Sequence, residues 1–535
     1  QDKIKSPQYL NVLNHSSRKM KGICCFCFYK HHTRDKMEFF ISALGEAVQP
    51  LNLLVMLAGT FVGIAAGAMP GLSSVMALTI MTPFTFSLGG NSGFLMLLGI
   101  FCGSIYGGSI TAILINTPGT ANSAATCLDG YPMANKLGQP GRALGISTMA
   151  STFGGLFSAA ALFFTAPLLA KVALQFGSPE YFSIAVFGIS IVTGISSKSI
   201  IKGLIGAVIG LALGTVGIDA ITGTPRFTFG SSYLTGGISF VPLLIALYAF
   251  SQGLKNMQSG EDSVSVGKKV RLNHVLPTKS DIKRTFPTIL GCSVIGTMIG
   301  AIPGTGGDIA SWFGYTQAKR FCRHRDEFGN GAPEGIAAPE SANNAVSGGA
   351  LIPLLTLGIP GDAGTAVMLG ALMMQGIIPG PLLFKEQTEK VYIIIIGLIF
   401  ANIMMCLLGY GGLKLFAKIS SIPSVILTPV VFIFCFVGTY ALNNNINDIY
   451  FMIIAGITGF VLLKLDFAMP PVILGLILGT KIETNLSKSL AISDGSFSIF
   501  FTRPISCVLL IIAAFSLLSP VLVPMLKRAA GRTGK

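Results

Sequence analysis

Charged side chains are scarce in this sequence: 11% of its 535 residues are Asp, Glu, Lys or Arg, where a soluble domain averages about a quarter. So little charge excludes a surface made for water alone. Histidine is also rare, and all five lie outside the long apolar stretches, which excludes a membrane-embedded metalloprotease. The one glycine-rich phosphate-loop candidate, Gly304-Thr305-Gly306-Gly307, lacks the lysine that such a loop needs. That excludes a pump driven by nucleotide hydrolysis. No apolar core precedes a small-residue cleavage site near the amino end, so no secretory signal peptide is read there. Cysteine spacing gives no disulfide framework. Cys102, Cys127, Cys292, Cys406, Cys435 and Cys507 each stand alone in apolar sequence and read as small buried hydrophobes. Serine and threonine in the apolar spans read as helix-packing residues rather than nucleophiles. No enzyme reading survives, and no cofactor is implied.

What is abundant is apolar sequence. Hydrophobic residues make up 51% of the chain, with a mean hydropathy of +0.70. Many windows exceed the roughly 18 apolar residues needed to cross a bilayer. The expected fold is an all-α polytopic membrane protein with roughly 10–12 transmembrane segments. Its 65 glycines suit close helix packing and local breaks. The net charge of +15 does not point to nucleic acid, because the excess sits in connecting loops, where lysine and arginine mark the cytoplasmic side. Residues 1–36 read as an extension, disordered or not native to the protein, with Met37 as the natural start. Cys24-Cys25-Phe26-Cys27 and His31-His32 lie there, at spacings that fit no established metal site.

The chain divides at a charged loop. Residues 254–284 hold seven Lys/Arg against three Asp/Glu and read as a basic cytoplasmic linker. It separates a first transmembrane repeat (37–253) from a second (285–480); 481–535 form a final helix and a basic tail. The halves are related in sequence. Val62 to Gly71 matches Ile295 to Gly304, Gly107 and Pro118-Gly119 match Gly349 and Pro360-Gly361, and Ser178-Pro179 and Gly194 match Ile422-Pro423 and Gly438. Asp129–Arg142 and Lys198/Lys202 are basic in the first half, whereas their counterparts in the second, Lys385–Lys390 and Asn443–Asp448, are neutral or acidic. Opposite orientation of the halves explains that difference, so the repeat is expected to be inverted.

Inverted repeats place substrate near the midplane, where discontinuous helices present free backbone groups. Each half has two Pro-Gly breaks inside apolar sequence: Pro70-Gly71 and Pro118-Gly119, then Pro303-Gly304 and Pro360-Gly361. A single such break is a helix kink; four, paired by symmetry and flanked by hydroxyls and amides, point to a site. Asn116, Thr117, Thr120 and Asn122 surround the second break and offer hydrogen bonds to a carboxylate. Acids in the membrane region are functional candidates. Asp308 and Asp362 adjoin breaks and are expected, with Pro70 and Gly71, to line a cation site; Asp219, Asp466 and Glu180 lie near segment ends. Glu334, Glu340, Asn343 and Asn344 cluster in a polar stretch, Lys319–Asn344, which serves as a hairpin cap, a cation site or a solvated loop.

Three stretches together resemble the large membrane subunit of the tripartite tricarboxylate transporter family: Gly67-Ala68-Met69-Pro70-Gly71, Ile115 to Asn122 with Asp129-Gly130-Tyr131-Pro132-Met133-Ala134, and the long run from Pro303 to Gly370. The resemblance extends from Met37 to the tail. It implies a substrate-translocating subunit in a bacterial inner membrane, working with a small four-helix-type membrane subunit and a periplasmic solute-binding protein that delivers the ligand. It implies a symporter for citrate-like or other small carboxylates, with Na+ (or H+) as the coupling ion. It also carries Asn116, Thr117, Pro118, Gly119, Thr120, Pro303, Gly304, Thr305, Gly358, Pro360 and Gly361 over as the substrate and ion lining. The competing reading is an uncoupled channel or export subunit of a larger assembly.

Overall fold

The computed structural model describes residues 38–196, 199–219, 221–259, 275–420, 422 and 424–530. The extension 1–36 and residues 260–274 of the basic linker lie outside the described residues. What is described is almost wholly helical. The long helices are α1 (Pro50–Gly67), α2 (Ser74–Ser87), α3 (Gly90–Ile115), α4 (Pro140–Ala173), α5 (Ser178–Ser196), α6 (Ile200–Gly214), α7 (Lys279–Gly300), α8 (Gly306–Phe321), α9 (Pro333–Leu357), α10 (Ala363–Met374), α11 (Thr388–Gly411), α12 (Ser424–Asn443), α13 (Ile446–Lys464), α14 (Met469–Ile492) and α15 (Pro504–Ala530). A two-residue β-ladder pairs Gly217–Ile218 with Pro225–Arg226.

Among the described residues six helices are long and apolar enough to cross a membrane, and four shorter ones are apolar. The apolar window of α13 is only 22% buried within the protein and that of α4 only 33%, so these helices turn apolar faces outward. Hydrocarbon is the environment in which such faces are stable. The chain is thus an all-α, multi-pass membrane protein.

The breaks fall where the backbone chemistry puts them. Proline removes a helical hydrogen bond and glycine accepts left-handed dihedrals. α1 stops just before Pro70-Gly71, and α2 restarts after Ser73, whose side chain accepts the Met76 N–H. α3 ends on Asn116 in the left-handed conformation, and α9 ends the same way on Gly358. These two residues occupy equivalent positions in the two halves.

The internal repeat is visible in packing as well as in sequence. Gly63 of α1 presses against the Ile100 backbone of α3; its counterpart Gly296 of α7 presses against Ala342 of α9. Gly119 sits on Gly67 and Gly108, and its counterpart Gly361 sits on Gly300 and Ala350. A Cβ at any of the four meets backbone inside van der Waals contact. The two halves also interlock: α4 runs parallel to α9, with Gly154 beside Ser341 and Ser158 beside Gly348, while α3 runs parallel to α11, with Leu95 and Leu98 at Gly397 and Tyr106 at Gly409. Between them the equivalent helices α4 and α11 are antiparallel, because Thr148 meets Gly409 and Gly155 meets Asn402. Antiparallel contact of equivalent helices is what an in-plane pseudo-two-fold axis produces.

One expectation is corrected. The polar stretch ending at Asn344 is no solvated loop past Pro333: every residue from Pro333 to Thr356 is buried in α9. Its Ala, Gly and Ser positions let α4 and α7 approach closely, and several of its polar groups, though not the Asn343 side chain, find partners inside the protein. Glu334 accepts Arg284 Nε at 2.7 Å. The residues leading into α9 are held by Asp129, whose Oδ1 accepts the N–H groups of Gly329, Gly331 and Ala332 at 2.8, 2.9 and 2.8 Å. Tyr315 donates to its Oδ2 at 2.9 Å.

Candidate functional site

All four breaks open onto one cavity of about 340 Å³. Ser73 and Ser74 reach it from the first break, Thr120 and Asn122 from the second, Gly304 to Asp308 from the third, and Pro360 with Asp362 from the fourth. Phe101, Tyr248 and Leu474 are among the apolar and aromatic walls. The volume suits a small ligand held by a few placed polar groups.

Helix starts converge here. α2, α8 and α10 all begin at the cavity, with the single 3₁₀ turn Ala121–Ser123 beside them. By repeat symmetry α2 pairs with α8, and the 3₁₀ turn with α10. Thr305, the N-cap of α8, gives the first turn no side-chain hydrogen bond, and the Asp308 carboxyl turns back to its own N–H and that of Ile309. Helix starts carry partial positive charge and donate to anions. Gly304 and Gly361, from opposite breaks, are joined by an N–H to carbonyl bond of 2.7 Å. Gly304 holds φ 82° and Gly306 φ 71°, dihedrals that glycine adopts without strain.

The cavity also contains polar atoms without partners. Ser74 Oγ, Thr120 Oγ1 and the Tyr248 hydroxyl line it, are buried, and make no hydrogen bond. Nearby, both side-chain amide atoms of Asn343 are buried and unpaired, and the amides of Asn343 and Asn122 crowd Gly307. A buried polar atom without a partner costs about 1–3 kcal/mol. Several at one place mark where a ligand supplies the missing bonds.

The cavity's charge is one-sided. Asp308 and Asp362 line it, and no Lys, Arg or His does among the described residues. Asp362 is also the N-cap of α10. Its Oδ1 accepts the Thr365 N–H at 2.7 Å and the Thr365 hydroxyl at 2.6 Å. Asp308 sits in the first turn of α8 with no such cap. Trp312, one turn further along α8, lies with Asp308 and Ala121 on a shallow groove beside the cavity.

The expected lining residues divide into two groups. Thr120, Asn122, Gly304, Thr305, Pro360, Asp308 and Asp362 face the cavity. Asn116, Thr117, Pro118, Gly119, Pro303, Gly358, Gly361, Pro70 and Gly71 do not; they build the breaks. Asn116 is the left-handed cap of α3 and is exposed, and the Thr117 hydroxyl turns back to Ile115 O at 3.4 Å. Gly358 O accepts Lys481 Nζ at 3.1 Å, and Gly71 O accepts Asn256 Nδ2 at 3.0 Å. Thr305 lines the cavity, but its hydroxyl caps α7 at Ile302 O, 2.9 Å away.

The remaining acids are structural. Asp219 lies in the β-turn, where the Thr222 hydroxyl and Ile221 N–H hold its carboxyl below the usual range. Glu180 Oε2 accepts Gly177 N–H at 2.8 Å. Asp466 follows α13 in the left-handed conformation. The reading of the sequence missed Ser73, Ser74 and Tyr248, and named Asn343 only as one of the polar cluster at residues 334–344. Ser73-Ser74 follows Pro70-Gly71 closely enough to have been counted with it. Tyr248 comes from a distant helix and carries no local signal.

The model of one family, described as the tripartite tricarboxylate transporter TctA family, matches residues 53–474. An uncharacterized 52.8 kDa protein of Agrobacterium vitis, from the TAR-I ttuC′ 3′ region, is 39% identical over 464 residues, which is 87% of this chain and 92% of that protein. A second protein of the same organism, from the TAR-II ttuC′ 3′ region, is 39% identical over 215 residues, 40% of this chain and 89% of its own length. No solved structure matches.

Proposed function

Because this chain belongs to the tripartite tricarboxylate transporter TctA family, we propose that its central cavity binds a small carboxylate together with a coupling cation and passes both across the bacterial inner membrane by alternating access. The observation that carries this reading is the cavity's charge: helix starts and hydroxyls suited to an anion, beside two aspartates and no described basic side chain. A carboxylate placed there without a counter-ion meets like charge in a partly dry site, which is unfavourable. A monovalent cation between the substrate and Asp308 or Asp362 removes the conflict. It also makes each ligand's affinity depend on the other, which is the thermodynamic basis of coupling. Na+ suits the all-oxygen surroundings; H+ is the alternative carrier.

In this reading the chain is the substrate-conducting subunit. A small membrane subunit and a periplasmic solute-binding protein complete the transporter, and the binding protein delivers a citrate-like or other small carboxylate. The inverted halves supply two related conformations by exchanging roles around the fixed cavity. The uncoupled channel or exporter is the alternative, and the aspartates distinguish the two. Asn also caps helices well, so Asp362→Asn keeps the start of α10 while removing charge. In proteoliposomes holding all three components, Asp308→Asn and Asp362→Asn should each lower Na+-driven accumulation at least tenfold. Undiminished accumulation in both variants removes the two aspartates from the coupling mechanism, whereas wild-type transport that runs only downhill and ignores the Na+ gradient points to the uncoupled alternative.

A further inference from the structure

One buried acid takes no part in the cavity. Glu340 sits in α9 with none of its surface exposed, and no Lys, Arg or His pairs with it among the described residues. Its partners are hydroxyls from the other half of the chain. Thr126 Oγ1 donates to Oε1 at 2.5 Å and Ser151 Oγ donates to Oε2 at 2.9 Å. Ser147 completes the ring of hydroxyls around the carboxyl. A bare carboxylate in a dry interior is costly unless an opposite charge meets it, and hydroxyls offset only part of that cost.

The directions of the neighbouring hydrogen bonds add a second constraint. Ser147 donates to Ser109 Oγ at 2.8 Å, and Ser109 donates to the Tyr106 carbonyl, also at 2.8 Å. With its own proton engaged, the Ser147 oxygen is left as an acceptor. A Glu340 O–H completes the series, with the proton directed to Ser147, then Ser109, then a backbone carbonyl. The surroundings offer no other compensation. Tyr106 of α3 faces Glu340, with its hydroxyl engaged by Thr148, as does Cys127 after the 3₁₀ turn. On α8, the Tyr315 hydroxyl is taken by Asp129. At the start of α7, Asp281 is paired with Arg142 of α4. None of these places a cation on Glu340.

We propose that Glu340 is a proton-binding site set in the seam between the two halves: it carries a proton in this conformation and gives it up when α9 shifts against Thr126, Ser147 and Ser151. The seam is the α4–α9 contact, where backbones touch at Gly154 and Gly348. Three residues along α9, Asn343 reaches the edge of the cavity beside Asn122 and Gly307. A ligand that engages Asn343 therefore acts on the same turn that holds the proton. This step rests on the alternating-access reading; occupancy of the proton site in the resting protein does not.

Infrared spectroscopy of the purified protein at neutral pH tests occupancy directly. Glutamine matches the shape of the neutral acid and makes the same contacts, so Glu340→Gln should fold, as judged by gel filtration and thermal melting. The carbonyl band of one protonated carboxylic acid should be present in the wild type, missing in Glu340→Gln, and retained in the control Glu334→Gln. Identical spectra for the wild type and Glu340→Gln overturn the proposal. So does the absence of an acid band together with Na+-dependent stabilisation that Glu340→Gln abolishes, because Na+ then occupies the site. In proteoliposomes at fixed Na+, wild-type uptake should respond to a pH gradient and Glu340→Gln uptake should not; a retained response also overturns it. Failure of the carboxylate reading shows separately, as no ligand binding by the wild type, and leaves the infrared result intact.

Discussion

Two side chains show how a residue's chemistry can be read correctly and its task still misplaced. Asn116 is the residue type that binds carboxylates, yet it stands at φ 55° as the left-handed end of α3. Asn tolerates that conformation and β-branched residues do not. Asn116→Gly should therefore keep fold and uptake, while Asn116→Val should lower the melting temperature, at a cost of about 1–2 kcal/mol. Thermal melts of the two purified variants check this. Asp129 lies in what read as a polar, basic loop, but it is fully buried and gathers three backbone N–H groups and a tyrosine hydroxyl. Asp129→Ala strands those donors and should cost about 2–4 kcal/mol or abolish a stable fold. Tyr315→Phe removes one neutral donor and should cost only about 1 kcal/mol. Comparable losses in the two variants would contradict the role assigned to the carboxylate.

At the scale of elements, proline-glycine pairs were legible because they interrupt otherwise continuous apolar sequence. Backbone geometry dictates that a helix stops there whatever surrounds it. The sequence could not say which residues around each break face the ligand. Asn116 and Thr120 are four apart, and only the turn between them decides that Thr120 lines the cavity. Tyr248 was invisible for another reason: it enters from a helix far along the chain, and only packing brings it in. α9 was misjudged because charge and amide content mark a loop in water, whereas inside the protein Glu334 and Glu340 are met by Arg284, Thr126 and Ser151 from other elements. The paired breaks give a symmetric test. Gly119 and Gly361 each sit on the backbone of the equivalent helix pair, so Gly119→Ala and Gly361→Ala should reduce folded yield to a similar degree. Gly138→Ala, at a position with open space around it but φ 65°, should cost only about 1 kcal/mol. Fluorescence-detected gel filtration of the three variants reads this directly.

At the scale of the whole molecule, antiparallel contact between α4 and α11 puts their starts on opposite faces of the membrane. Lys136, just before α4, and Lys385, just before α11, are both exposed. In a background without other cysteines, a membrane-impermeant maleimide added outside intact cells should label only one of Lys136→Cys and Lys385→Cys. Permeabilisation should expose the other. Labelling of both from outside would contradict an inverted arrangement. If the arrangement holds, all four breaks meet where the halves are related, and the two aspartates at the third and fourth breaks face a ligand alongside Thr120 and Asn122 from the second.

The central claim is that the cavity takes a carboxylate only together with a cation. The single tryptophan, Trp312, lies one turn from Asp308 on the groove that adjoins the cavity. The decisive measurement is therefore titration of its fluorescence in the purified protein with a panel of di- and tricarboxylates, in Na+ and again in K+. The expected result is a saturable change for one class of acid, present in Na+, lost in K+, and lost in Asp308→Asn. A saturable change of equal affinity in both salts, undisturbed by Asp308→Asn and Asp362→Asn, would contradict the claim.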